Sequence, residues 1–184
     1  MNKPGKVILG IDPGTNIMGF GVIQSSGKQP EFIDMGVLDL RKEKDPYDKL
    51  RIIFDTTIKL INNYHPDVLA IESPFFGKNV QSMLKLGRAQ GVAIAAALSK
   101  GLPVHEYAPR KIKLAITGVG QASKEQVSGM LFRMFSLQGM PENFDATDGL
   151  AAAVCHFYED KAPLKSSGSK SWADFAKKNP GRIS

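Results

Sequence analysis

Between residues 31 and 72 the chain passes from an extended stretch through a helical one and back to an extended one, and this unit constrains the architecture most. Glu31 to Leu40 reads as a strand. Asp45-Pro46 then supplies a helix N-cap followed by proline at the first helical position, where its missing N–H has no partner to lose. Leu50, Ile53, Phe54, Thr57, Ile58 and Ile61 recur at the 3.6-residue period, which lays one apolar stripe on a sheet. Asp67-Val-Leu-Ala-Ile71 is a compact apolar run halted by Glu72-Ser73-Pro74 and reads as a buried strand. A strand–helix–strand unit of this size implies parallel pairing through a right-handed crossover. Ahead of it, Lys6 to Ile11 and Met18 to Gln24 are short apolar runs separated by Asp12-Pro13-Gly14-Thr15, with Gly27 and Pro30 marking the next turn. Three closely spaced strands form an antiparallel meander, and a meander joined to a parallel crossover predicts a mixed α/β sheet.

The remainder completes that sheet and covers it. Asn79 to Lys100 is a long helix with one stripe of Val80, Met83, Leu84, Gly87, Gly91, Ile94, Ala95 and Leu98. Leu86, Ala89, Val92, Ala93 and Ala96 make its other faces apolar as well, so it is buried on more than one side, and a second subunit is one source of that cover. Pro103 to Tyr107 is a fifth strand. Ser123 to Gln126 is a capping box that opens a helix through Leu137, with Val127, Met130, Leu131 and Met134 toward the core. Asn143 to Tyr158 forms the last helix. Residues 1–160 are one domain, and the Lys-, Ser-, Gly- and Pro-rich residues 161–184 are a basic flexible tail.

Composition removes several classes. The single Cys155 excludes an intramolecular disulfide framework and a CxxC zinc site, and reads as a buried thiol in a reducing cytoplasm. The longest apolar run, Gly91 to Leu98, falls far short of a bilayer span, and Asp12-Pro13 breaks any signal-peptide pattern. His65, His105 and His156 lack ligand spacing and read as structural or surface groups. The net charge of +6 divides by segment: Lys78 to Arg133 holds nine basic against two acidic residues, while residues 134–160 hold five acidic residues and no Lys or Arg. A basic stretch suited to tracking phosphates thus accompanies an acidic one suited to holding metal.

Four carboxylates stand out by position. Asp12 closes the first strand, Glu72 closes the fourth, and Asp145 and Asp148 share a face in the first turn of the last helix. With the first and fourth strands as central neighbours, Asp12 and Glu72 meet, and Ala151, Ala152 and Val154 bring the last helix onto the same sheet. Hard divalent cations such as Mg²⁺ take oxygen ligands of this kind, and two of them clamp a phosphodiester. Taken singly, each residue also reads as a turn, a cap or a solvated strand end.

Five motifs in order then resemble the RuvC-type Holliday junction resolvases. They are Gly10-Ile-Asp12-Pro-Gly-Thr-Asn16, Ala70-Ile-Glu72-Ser-Pro-Phe75, Leu84-Lys-Leu-Gly-Arg-Ala-Gln-Gly-Val-Ala93, Val104-His-Glu-Tyr-Ala-Pro-Arg110-Lys-Ile-Lys113 and Asp145-Ala-Thr-Asp148-Gly-Leu-Ala151. The resemblance runs from about residue 6 to 158 and implies an RNase H-like fold, a mixed five-stranded sheet flanked by helices. It also implies a homodimer that cuts four-way junction DNA by paired, Mg²⁺-dependent nicking, leaving ends that ligase can seal, with Mn²⁺ as an alternative metal. By the same resemblance Asp12, Glu72, Asp145 and Asp148 are catalytic metal ligands, Asp145 standing where some members carry His, and Lys113 and Lys124 stand near the scissile phosphate. Phe75 matches an aromatic that inserts against junction bases, with Phe76 directly beside it. Lys78, Lys85, Arg88, Arg110 and Lys111 complete the expected DNA contacts, and RuvA and RuvB are the implied partners. Two rivals share parts of this pattern. Gly10 to Thr15 also resembles the phosphate loop of the actin, Hsp70 and sugar-kinase superfamily, which needs two such halves where this length provides one. A YqgF-type nuclease acting on structured RNA shares the fold and the carboxylates.

Overall fold

Strand β1 (Lys6–Asp12) is the centre of the molecule. It pairs antiparallel with β2 (Ile17–Ser26) on one side and parallel with β4 (Val68–Glu72) on the other. β3 (Gln29–Asp39) closes one edge against β2, and β5 (Val104–Tyr107) closes the other, parallel to β4. The order β3-β2-β1-β4-β5 is the mixed five-stranded sheet expected from the crossover, seen in a computed structural model that describes residues 5–74, 79–138 and 144–161. The crossover is longer than its nearest-neighbour form: helix α1 (Pro46–Tyr64) carries the chain from edge strand β3 past β2 and β1. Pro30, expected in the turn, lies in β3 opposite Ser25, on an edge strand where a missing N–H is tolerated. The turn is at Gly27, whose φ of 60° is left-handed.

Alternation along β1 sorts the helices into two layers. Leu9 and Ile11 face a core shared with α1 and α2 (Val80–Ser99), together with Met18, Val22, Leu69 and Ile71. Ile8 faces the other core, with α3 (Pro109–Thr117), α4 (Lys124–Met134) and α5 (Asp145–Lys161). Asp45 caps α1 by accepting from the Tyr47 and Asp48 N–H groups, and Ser123 and Gln126 form the expected capping box of α4. In α4, Val127 and Leu131 point inward as expected, but Phe132 and Ser128 fill the core where Met130 was expected, and Met130 faces out.

α2 buries a different face from the stripe read in the sequence. Ala89, Gln90, Ala93, Ala96 and Ala97 turn inward, and the small alanine side chains let the helix lie close to α1. Val80, Leu84 and Leu98 remain exposed, and a Cβ added at Gly87 or Gly91 would meet nothing within 4 Å. α5 is the opposite case, buried from Thr147 through Phe157 apart from Asp148, which is mostly buried. It approaches the sheet through glycine: a Cβ built on Gly19 would lie 1.8 Å from the Asp145 carbonyl oxygen, on Gly10 2.2 Å from that of Gly149, and on Gly21 2.3 Å from the Leu150 Cα. Helix and sheet are in backbone contact along this seam. α5 continues through Lys161, beyond the expected Tyr158, and residues 162–184 lie outside the described residues. Among the described residues no helix is long and apolar enough to cross a membrane.

Candidate active site

The same alternation that builds the core aims the carboxylates. Ile8 and Gly10 face α5, so Asp12, two residues further, leaves the strand end on that side. Val68 and Ala70 do so on β4, and Glu72 follows them. Pairing of Ile11 with Ile71 brings Asp12 and Glu72 level on adjacent strands. The glycine seam then sets the first turn of α5 against this end of the sheet, since Gly19, the register partner of Asp12, touches the Asp145 backbone. Asp145 and Asp148 thereby join the strand-end pair. Carboxylates in the first turn of a helix are favoured by its dipole, by about 0.3–1 kcal/mol each.

Asp12, Glu72 and Asp148 line one cavity of about 670 Å³ with Lys113, Lys124 and Arg110. The Lys124 ammonium donates to Asp148 and lies 3.4 Å from Asp145. Burial, the Asp148 charge and Asp145 push the Asp12 carboxyl up to about 7, against the opposing pull of Lys124. Burial, with Asp12 and Asp148 nearby, pushes Glu72 up to about 8. Asp148 is also raised, because burial outweighs its bond to Lys124. Burial would lower the Lys124 ammonium, but the bond to Asp148 and the field of the acidic cluster raise it above the ordinary lysine range.

Among the described residues no three carboxylate, thiol or imidazole side chains close into a ready-made cage. The donor set nevertheless fits a hard divalent cation. It is all oxygen, and burial first, then the neighbouring carboxylates, makes its members resist ionisation, a cost that a bound cation relieves.

The other expected residues fall in three places. Arg110 and Lys113 lie on α3, a helix that the sequence reading did not assign. Its signals were Pro109 at the first helical position, Ile112 and Ile116 one turn apart, and Gly118 ending it at φ 75°. Lys111, on the same helix, lies outside this cavity, 2.8 Å from Glu159. Lys85 and Arg88 line a separate groove that meets the site at Asp145. Phe75, Phe76 and Lys78 lie outside the described residues.

Two supporting contacts had no sequence signal. Gln90, buried on α2, donates to Glu106 Oε2 at 2.7 Å and to the Glu72 carbonyl oxygen at 3.4 Å, tying α2 to the end of β4. Lys49 donates to the Thr15 carbonyl at 2.8 Å and to Asn16 Oδ1 at 3.3 Å, fastening the loop after Asp12 to α1. Away from the site, His156 is buried, bonded to the Tyr107 hydroxyl at 2.7 Å and stacked near His105; burial pushes its pKa down to about 4. Cys155 is buried as expected.

Known proteins resemble this chain closely in sequence and fold. Residues 8–156 match the family described as crossover junction endodeoxyribonuclease RuvC. The crossover junction endodeoxyribonuclease RuvC of Bacteroides fragilis is 61% identical over 180 residues, which cover 97% of this chain and 96% of that protein. The solved structure of Thermus thermophilus RuvC superposes with a TM-score of 0.74 at 30% identity, covering 84% of this chain and 95% of that one. The T. thermophilus RuvC in complex with Holliday junction substrate superposes with a TM-score of 0.77 at 29% identity, covering 84% and 94%. The fold is therefore the RNase H-like one, and with its sequence matched nearly end to end, the chain belongs to the RuvC family of crossover junction endodeoxyribonucleases.

Proposed function

We propose that this chain is a metal-dependent endodeoxyribonuclease that resolves four-way DNA junctions by paired nicking, during recombination and repair in the cytoplasm. The observation that carries the reading is the meeting of Asp12, Glu72 and Asp148 with Lys113 and Lys124 around one cavity. Acidic and basic groups face each other there across a space that a phosphodiester fits. Asp12, Glu72, Asp145 and Asp148 are the residues that would hold Mg²⁺, two ions per subunit in this reading, with Mn²⁺ as the alternative. Such a cation, when bound, lowers the pKa of a coordinated water and offsets charge on the phosphate. The chain's own cations do the rest. Lys113 and Arg110 hold the phosphate oxygens, and Lys124 turns from Asp148 toward the charge that develops there. Water attacks phosphorus, the phosphorus–oxygen bond to the neighbouring nucleotide breaks, and the departing oxygen takes a proton, leaving ends that ligase can seal.

Paired nicking requires two such sites. The exposed face of α2, with Val80, Leu84, Leu98 and the open glycines Gly87 and Gly91, supports a homodimer through that helix. Phe75 and Lys78 belong to the same reading as junction contacts, and RuvA and RuvB as branch-migration partners. The test is cleavage of a synthetic four-way junction with Mg²⁺, beside plain duplex and structured RNA. Symmetric nicks in the junction alone support the proposal; cutting of the RNA in preference to the junction replaces it with the YqgF-type reading.

A further inference from the structure

A second groove, of about 790 Å³, adjoins the site through a small pocket that Asp12 and Glu72 line together with the groove's own Gly14, Ile17 and Leu86. Lys44, just ahead of α1, Tyr47 and Lys49 in its first turn, Lys85 and Arg88 of α2, and Asp145 of the carboxylate cluster all line it. Other cations nearby are neutralised: Arg41 pairs with Asp39 at 2.7 Å, and Arg51 with Asp48 at 3.0 Å. Lys44, Lys85 and Arg88 pair with no carboxylate among the described residues, and all three are exposed. Within this lining Tyr47 is 74% exposed, the most exposed of the large apolar and aromatic side chains in the described residues. Its backbone is rigid, because Pro46 precedes it and its N–H donates to the Asp45 cap at 2.7 Å.

We infer that this groove binds an unpaired stretch of the DNA strand beside the cleaved phosphate, with Tyr47 as a stacking platform and Lys44, Lys85 and Arg88 on the backbone phosphates. The inference rests on the junction-cleaving reading and extends it to a residue, Tyr47, on an element separate from the Phe75 segment. Three features select this ligand. The groove is continuous with the reaction site, so a strand lying over the carboxylates continues into it. Its unpartnered charges are all positive, which matches a phosphate chain. An aromatic face open to solvent between cations matches an unstacked base, since the base faces of an intact duplex are already covered. The strands of a four-way junction lose stacking at their exchange point, and a duplex has no equivalent position.

The test uses the full-length protein and a four-way junction carrying 2-aminopurine at each position flanking the cleaved phosphate, with a single-stranded oligonucleotide as a second probe. Tyr47→Ala is expected to weaken binding of both probes about tenfold, while Tyr47→Phe keeps wild-type affinity because the ring face remains. Tyr47→Ala should leave the salt dependence unchanged, whereas Lys44→Ala should reduce the slope of log K on log[salt] by about one. Lys28→Ala, at the far hairpin, is the charge control. Wild-type quenching of one flanking 2-aminopurine that disappears in Tyr47→Ala completes the expected result. If wild type cuts the junction while Tyr47→Ala binds both probes as tightly and quenches equally, the groove assignment is overturned and the cleavage reading stands. If the wild-type chain binds single strands through Tyr47 but cuts no junction, the cleavage reading fails and the groove remains.

Discussion

At Asp12 the sign of the pH dependence follows from burial. A carboxyl held up to about 7 keeps its proton in the folded chain at a pH where the unfolded chain has lost it. Without divalent cation, this contribution to stability is present below about pH 4 and is lost as pH rises toward 7, and Glu72 extends the window toward 8. Asp12→Asn removes one of the repelling charges. It is expected to raise stability at pH 8 by on the order of 2 kcal/mol, roughly 4–8 °C in melting temperature, and to do little at pH 4. Thermal melts at the two pH values in a chelator check this. The same variant should abolish junction cleavage while leaving junction binding largely intact, because Lys113, Arg110 and the second groove are unchanged. Retained Mg²⁺-dependent cutting by Asp12→Asn would sink the assignment of the site. Asp12, Glu72, Asp145 and Asp148 were legible in the sequence because each sits at the end of an element whose period is readable. Gln90 and Lys49 were not, because a side chain that braces a catalytic strand or loop from another helix carries no local pattern.

Among the elements, α5 and α2 bury themselves by opposite means, and each gives a prediction. α5 meets the sheet through glycine, so Gly19→Ala forces a Cβ into the Asp145 carbonyl. The expected cost is about 3 kcal/mol, read as a melting temperature lower by roughly 6–12 °C. A Gly19→Ala chain that melts like wild type would show that the seam is loose. α2 instead leaves its larger apolar residues outside, and Leu84→Glu is expected to convert a dimer to monomer in light scattering with its melting temperature unchanged within about 2 °C. An unchanged dimer in that variant rules this face out as the interface. The inner face of α2 is not legible from period, which identifies the apolar stripes but does not rank them, and here the alanine stripe packs closer than the leucine one. α3 was passed over because its nine residues hold only two buried side chains, too short a run to display a period.

For the whole molecule, the mixed sheet followed from the crossover, and β1 and β4 are the central neighbours expected, although the crossover alone would set β4 beside β3. What the sequence could not convey was which charges share a surface. Lys85, Arg88 and Lys113 lie in one basic stretch of sequence, yet the fold deals them to two different grooves that both border the carboxylates. Lys111, from the same stretch, goes to an ion pair with Glu159. Removing residues 162–184 is expected to weaken DNA binding in a salt-sensitive way and to leave the ratio of junction to duplex affinity unchanged, as measured by competition binding. A fall in that ratio would place part of the junction recognition in the tail.

The glycine seam has a further consequence for how the family's sequences can drift. Where side chains separate two elements, a changed residue is absorbed by rotation or a slight shift, and the gap between them wanders over time. Where backbones touch, there is nothing left to compress, and the separation behaves as a mechanical stop. The helix-borne acids are therefore gauged against the strand-borne ones by Gly10, Gly19 and Gly21, while the α1 and α2 layer braces this end of the sheet through the side chains of Lys49 and Gln90. Apart from such bracing and groove-lining side chains, the opposite layer packs through side chains that can shift to absorb a change, while on the seam side even a single methyl group has no room.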